Sequence, residues 1–213
     1  VFTAQHCDLS GRVLHKCRWA NYTCTYPAPR SRRMRTESAI QSALWDGMRD
    51  TYRPILPNYT PPNWWECDLF AVSKTSNFWY EFEIKLTAAD FKKDMFKSDR
   101  VYRNREWVTL LKHDLLKAKS EDGPSRFYYL LTPKVAERVE IPDSAGLKVI
   151  KETNGRVWLD DVKQAPLLHR ARVAPEIVAK VYEACYWRFW NQRRNMNKEV
   201  QRQLTRTQNL TDE

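Results

Sequence analysis

Glu83-Ile84-Lys85 sets a carboxylate and an ammonium two residues apart, a spacing that shares one face of a β-strand. Asp68 lies in the preceding run of strand-like residues, across the polar turn Lys74-Thr75-Ser76-Asn77. A hairpin would therefore bring it beside Glu83 at one end of a sheet. Two carboxylates suit a hard divalent cation, which keeps several waters and takes phosphate oxygens at its remaining positions. Such an ion polarises a phosphodiester, helps deprotonate water and stabilises the leaving oxygen. A lysine beside it can orient the attacking water or neutralise charge on the pentavalent transition state. The bare Glu-x-Lys spacing is also common in cross-strand ion pairs on wet sheet faces. The surroundings favour chemistry: Phe82, Ile84 and Leu86 mark a core strand, and Asp68 sits among Cys67, Leu69 and Phe70. Carboxylates in such settings are costly unless paired or metal-bound.

The elements that would position these groups follow from periodicity. Thr36-Glu37-Ser38 followed by Ile40, Ala43, Leu44 and Met48 predicts a capped amphipathic helix over about 36–51. Pro54, Pro57, Pro61 and Pro62 predict a connecting loop up to Trp64. A strand over 65–73 then pairs with the alternating run Phe78 to Leu86, one face in the core and the other carrying Glu81, Glu83 and Lys85. After Thr87 the spacing of Phe91, Met95 and Phe96 is helical, and a second, basic helix is expected over 104–119. Residues 126–131 read as a strand, 146–152 and 156–163 as a hairpin on Asn154-Gly155. Pro175, a good first helical residue, opens a last helix reaching to about residue 204.

Composition narrows the class. The 213 residues include 9 Trp, 10 Tyr and 8 Phe, too aromatic for a disordered chain. Neither G-x-G-x-x-G nor G-x-x-x-x-G-K-[ST] occurs, which removes Rossmann and P-loop readings. No apolar run approaches a membrane span and residues 1–30 lack a secretory core, so a soluble, cytoplasmic protein without membrane partners is expected. The formal net charge is +10, which points to polyanions. The excess is clustered at 11–35 (seven basic, no acidic), 92–119 (nine against four) and 188–206 (six against one).

The combination resembles the PD-(D/E)XK nuclease superfamily. Glu37 in a first helix, Asp68, and Glu83-Ile84-Lys85 match its core pattern, although Cys67 stands where the name-giving proline would be. Thr87-x-x-Asp90-Phe91-x-x-Asp94, Lys112-His113, Phe127-Tyr128-Tyr129, Ile141-Pro142-x-x-x-Gly146-Leu147 and Ala165-Pro166-Leu167-Leu168-His169 are similar to small phage and bacterial DNA-repair-type members. The resemblance spans about residues 36–170. It implies an α/β (α+β) fold with a restriction-endonuclease-like mixed central sheet flanked by helices, an N-terminal extension and a long C-terminal helix. By position Asp68 and Glu83 would be metal ligands with the Ile84 carbonyl, Lys85 the catalytic lysine, and Glu37 an outer-shell or second-metal residue. Mg²⁺ or Mn²⁺ is the implied cofactor and DNA the implied partner, in repair, recombination or processing in a phage or its bacterial host. RNA stays open as a substrate, as does the oligomeric state.

Lys92, Lys93, Lys97, Lys112 and His113 are the candidate nucleic-acid contacts, with a wet helix face as the alternative for the last two. Asp90 and Asp94 read as carboxylates at a helix N-terminus. The division expected is a basic Cys/His-containing extension over 1–34, a nuclease core over 35–172, and a basic helix and tail over 173–213. Cys7, His15, Cys17 and Cys24 could form a structural zinc knot, although no Cys-x-x-Cys knuckle is present. Cys67 and Cys185 read as small buried hydrophobes. Tyr182, Tyr186 and Phe189 read as core on the last helix, the residues beyond Trp190 as a backbone- or partner-contacting end. A non-catalytic nucleic-acid-binding accessory on a nuclease-like fold is the competing function.

Overall fold

The computed structural model describes residues 36–103, 106–153 and 156–211, with the backbone of three short strands before them. Those strands, β1 (His6–Cys7), β2 (Val13–His15) and β3 (Cys24–Tyr26), form a small antiparallel sheet. The side chains of Cys7, His15 and Cys24, and all of Cys17, lie outside the described residues, as do the bounds of the expected 1–34 extension.

Helix α1 (Glu37–Met48) starts as expected, with the Thr36 hydroxyl accepting from the Ala39 amide. It leads into β4 (Tyr52–Tyr59), where a loop was expected. The correction has a simple cause. β4 is the outermost strand of its sheet, and an edge strand tolerates residues that lack an N–H. β5 (Cys67–Ser73) and β6 (Trp79–Lys85) form the expected hairpin. After α2 (Ala88–Asp94), the expected helix over 104–119 is instead a hairpin, β7 (Ser98–Arg103) and β8 (Glu106–Leu111), followed by the six-residue α3 (Lys112–Lys117). Strand β9 (Arg126–Leu131), helix α4 (Pro133–Ala136), strands β10 (Gly146–Thr153) and β11 (Arg156–Lys163), and helix α5 (Pro175–Thr211) complete the chain.

The main sheet has the order β11-β10-β9-β6-β5-β4. β6, β9 and β10 run parallel and the outer strands antiparallel, giving the mixed α+β arrangement expected. Helices cover both faces. Ile40, Leu44 and Met48 of α1 pack on Leu69, Ala71, Phe82, Ile84 and Leu130. On the other face Phe91, Leu116, Val135 and Val181, from α2 to α5, pack on Phe70, Phe127, Tyr129 and Leu131. The Glu81 and Glu83 face of β6 is therefore buried as well as the Phe82 and Ile84 face. Both side chains are fully buried.

Helix α5 departs from expectation too. Among its described side chains, those packed on the core lie in the first turns, while Tyr182, Tyr186 and Phe189 are each more than half exposed rather than core. Cys67 is buried and Cys185 partly so, as expected.

Candidate metal centre and its buried charge network

The last paired residues of the β5–β6 hairpin are Leu69 and Phe82. Beyond them β5 leaves β6, which stays paired with β9 as far as Lys85. The Ile84 amide thus loses a ladder partner, and the Asp68 carboxylate replaces it: Oδ2 accepts from Ile84 N at 2.7 Å. In a strand a residue's N–H and C=O point to the same side, so the Ile84 carbonyl faces the same gap. Strand alternation carries Glu83 and Lys85 to one face, and Lys85 Nζ lies 2.5 Å from Glu83 Oε2 and 3.4 Å from Asp68 Oδ2. The three residues singled out by sequence meet at one point, where the sheet opens.

Glu37 is one step removed. Its Oε1 accepts from Gln41 Nε2 at 2.8 Å, and the same buried amide donates to the Asp68 carbonyl at 2.9 Å and to Asn58 Oδ1 at 2.8 Å. Lys92 and Lys93 are exposed on α2, the helix that follows the site strand. Lys97 lies 3.6 Å from Glu83 Oε1 and donates to the Glu66 carbonyl.

Lys112 and His113 require correction. Lys112 is fully buried, 2.5 Å from Glu83 Oε1 and 2.6 Å from Glu81 Oε1, with Nζ over the Phe127 ring. Its contact with Glu81 is an ion pair without an aligned hydrogen bond to Oε1. The other Glu81 oxygen accepts from Trp64 Nε1 at 2.7 Å. His113, also buried, meets the Tyr129 hydroxyl at 2.9 Å. Neither residue reaches a surface on which DNA could lie. Asp94 is likewise no helix-start carboxylate: it is the last residue of α2, buried, accepting from the Tyr129 hydroxyl at 2.6 Å and 3.6 Å from Lys85 Nζ. Asp90 does serve the helix start, with Thr87 donating to it.

The result is one chain of charges, Glu81–Lys112–Glu83–Lys85, branching to Asp68 and to Asp94. Only its middle was visible in the sequence. Parity marks Tyr129: it shares one face of β9 with the core residues Phe127 and Leu131, so its hydroxyl needs an interior partner. Nothing local marks Lys112 as the counterion of Glu81 and Glu83.

The electrostatics divide the carboxylates. Burial and the Glu83 charge push Asp68 up to about 7, against the pull of Lys85 and the Ile84 amide. Burial opposes ionisation of Glu83, but Lys112, Lys85 and Lys97 outweigh it and hold Glu83 well below the carboxylate range. Burial lowers Lys85, yet Glu83, Asp68 and Asp94 keep it well above the ordinary lysine range. Lys85 is therefore an ammonium at any physiological pH, a donor and a charge rather than a base. Four carboxylates (Asp68, Glu81, Glu83, Asp94) meet three ammoniums, Lys85, Lys112 and the partly exposed Lys97. An Asp68 destabilised by Glu83, at the point where the sheet opens, fits an oxygen donor to a hard divalent cation.

No protein-family model matches the chain, and no curated protein matches it. Among solved structures it is similar to the SPO1766 protein of unknown function from Silicibacter pomeroyi, at 13% identity over 73% of this chain and 88% of that one, with a TM-score of 0.47.

Proposed function

We propose that this protein is a Mg²⁺- or Mn²⁺-dependent deoxyribonuclease that hydrolyses phosphodiester bonds, acting in DNA repair, recombination or processing. The observation that carries the reading is the meeting of Asp68, Glu83 and Lys85 where β5 parts from β6. Asp68 and Glu83, with the Ile84 carbonyl facing the same gap, would hold the cation. When bound, that ion supplies Lewis-acid polarisation of the phosphodiester and lowers the pKa of water. Lys85, fixed as an ammonium by three carboxylates, donates to an oxygen on phosphorus and offsets charge that grows in the transition state. Glu37, through Gln41, braces the Asp68 backbone. Lys92 and Lys93 on α2 supply phosphate contacts beside the site.

One observation favours a non-catalytic nucleic-acid-binding protein: both Glu83 oxygens already meet ammoniums, Lys85 and Lys112. The two readings separate in one experiment. The full chain is incubated with linear, circular and single-stranded DNA in Mg²⁺ or Mn²⁺, with EDTA as control. Cleavage is expected only with metal. It is lost in Asp68→Ala and Glu83→Ala, and falls by roughly 10²–10³ in Lys85→Ala while Mn²⁺ binding by calorimetry is retained. DNA binding without cleavage in either metal, or equal cleavage by all variants, overturns the nuclease reading.

A further inference from the structure

Helix α5 is 37 residues long, and among its described side chains those that join the core lie at its beginning. Ile177, Val178, Val181, Ala184 and Cys185 pack on the body, and Arg188 donates to the backbone carbonyls of Pro57 and Asn58. These contacts fix one face. A second face, about a third of a turn away, is apolar and open: Tyr182, Tyr186, Phe189, Met196 and Val200 are 52%, 56%, 56%, 62% and 53% exposed.

With Arg193, those residues recur at alternating steps of four and three, the 3.5-residue repeat of a coiled-coil seam. Tyr186, Arg193 and Val200 take the a positions, Tyr182, Phe189 and Met196 the d positions. Arg188, Arg194, Lys198 and Arg202 all fall at b, c or f, pointing away from the seam. The flanking e and g positions between 190 and 199 are Trp190, Gln192, Asn197 and Glu199, with no cation among them. Apart from Arg193 in the seam itself, the cations from 188 to 202 that would repel a second copy of this helix are thus turned outward. A nucleic-acid strand fits this arrangement less well, because bases on the aromatic seam would have their phosphates far from most of the cations.

We propose that α5 is an antiparallel homodimerisation helix, its seam covered by the same seam of a second copy of this chain. A two-fold axis at Asn191 sets every a residue against a d residue: Tyr182 against the partner's Val200, Tyr186 against the partner's Met196, and Phe189 against the partner's Arg193. The last pair brings a guanidinium onto an aromatic ring, a favourable contact. Parallel pairing would instead set two Arg193 side chains at one level. Half-exposed aromatics, at roughly 100 Å² each, together with Met196 and Val200, offer on the order of 500–600 Å² per copy, approaching the ~800 Å² one side of a standard interface buries. The proposal is independent of the nuclease reading.

The test is sedimentation equilibrium and light scattering of the full chain over a concentration series. The expected mass is twice 25.4 kDa. Phe189→Glu with Met196→Glu should weaken dimerisation by at least ~100-fold and leave the circular dichroism of the fold intact, since both side chains are mostly exposed. Arg193→Ala should weaken it by roughly tenfold, and Arg194→Glu with Lys198→Glu should not weaken it. Under mild oxidation, Tyr182→Cys mixed with Val200→Cys should cross-link above the level of the unsubstituted chain, and Tyr182→Cys alone should not. A monomer at ~100 µM, a dimer that survives the Glu substitutions, or cross-linking by Tyr182→Cys alone overturns the proposal. A monomer that binds an oligonucleotide, and loses it in the Phe189→Glu, Met196→Glu variant, assigns the seam to nucleic acid instead.

Discussion

Replacing Lys112 with Met keeps the volume of the side chain and deletes one buried ammonium. Its Nζ stands 2.5 Å from Glu83 and 2.6 Å from Glu81, with no solvent exposure on any of the three side chains. Removing one partner of a buried ion pair costs roughly 3–5 kcal/mol, because the remaining charge is left unpaired. The two glutamates do not share that loss equally. Glu83 keeps Lys85 at 2.5 Å and Lys97 at 3.6 Å; Glu81 keeps only the Trp64 indole donor. Burial, against the pull of Lys112, already raises Glu81 to about 7, so the variant's Glu81 takes up a proton instead of remaining as a bare anion. The sign of the pH dependence follows. Below pH ~7 Glu81 is protonated in both folded proteins, and the penalty is smallest, near 3 kcal/mol. Above it the wild-type residue ionises against Lys112 while the variant must hold its proton. The penalty then grows by up to ~1.4 kcal/mol per pH unit. Urea unfolding at pH 6 and pH 8 measures both values. A loss below ~1 kcal/mol at pH 8, with unchanged m, would refute the buried three-residue cluster. Glu81→Gln combined with Lys112→Met should recover part of the loss, since it removes the carboxylate as well as its counterion.

Two further perturbations probe the frame around the site. In EDTA, Asp68, raised from 3.8 to about 7, binds its proton more tightly folded than unfolded. Its contribution is therefore fully present below about pH 4 and lost as pH rises towards 7, worth at most ~4 kcal/mol; Asp68→Asn should flatten that fall in a series of urea melts, and an unchanged slope would rule the assignment out. Gly146→Ala would place a Cβ 2.6 Å from both the Ala165 amide nitrogen and the Tyr128 ring. A loss of ~1–3 kcal/mol is expected, checked by thermal denaturation, and a variant as stable as the parent would mean that β10 can shift.

The sequence revealed the site where local rules govern and missed it where they do not. The Thr36 cap, the strict alternation of β6 and the pairing of β10 with β11 depend on residues close in sequence, and each appears where periodicity placed it. Alternation alone, however, cannot tell a wet carboxylate face from a buried one. Glu81 and Glu83 are buried because Lys112, 29 residues beyond Glu83, reaches back to them. The same distance hid the role of Asp94, whose partners Tyr129 and His113 belong to other elements. The helix expected over 104–119 divides into strand β8 and the short α3, a break that nothing local in the sequence marks. The prolines of β4 misled for the opposite reason: they break interior strands, and this strand is an edge.

That edge has a consequence for how the molecule meets its copies at high concentration. Open sheet margins invite strand-to-strand stacking and aggregation. Here one margin, β4, carries Pro54 and Pro57 and so lacks two of the donors a template would offer. The opposite margin, β11, presents Asp160 and Asp161, tied to Lys151 and Lys148 of its inner neighbour. The prolines withhold hydrogen bonds, while the acidic pair puts charge on an approaching strand's path. Growth by adding strands is disfavoured on both margins of the main sheet, so association through α5 would not have to compete with it.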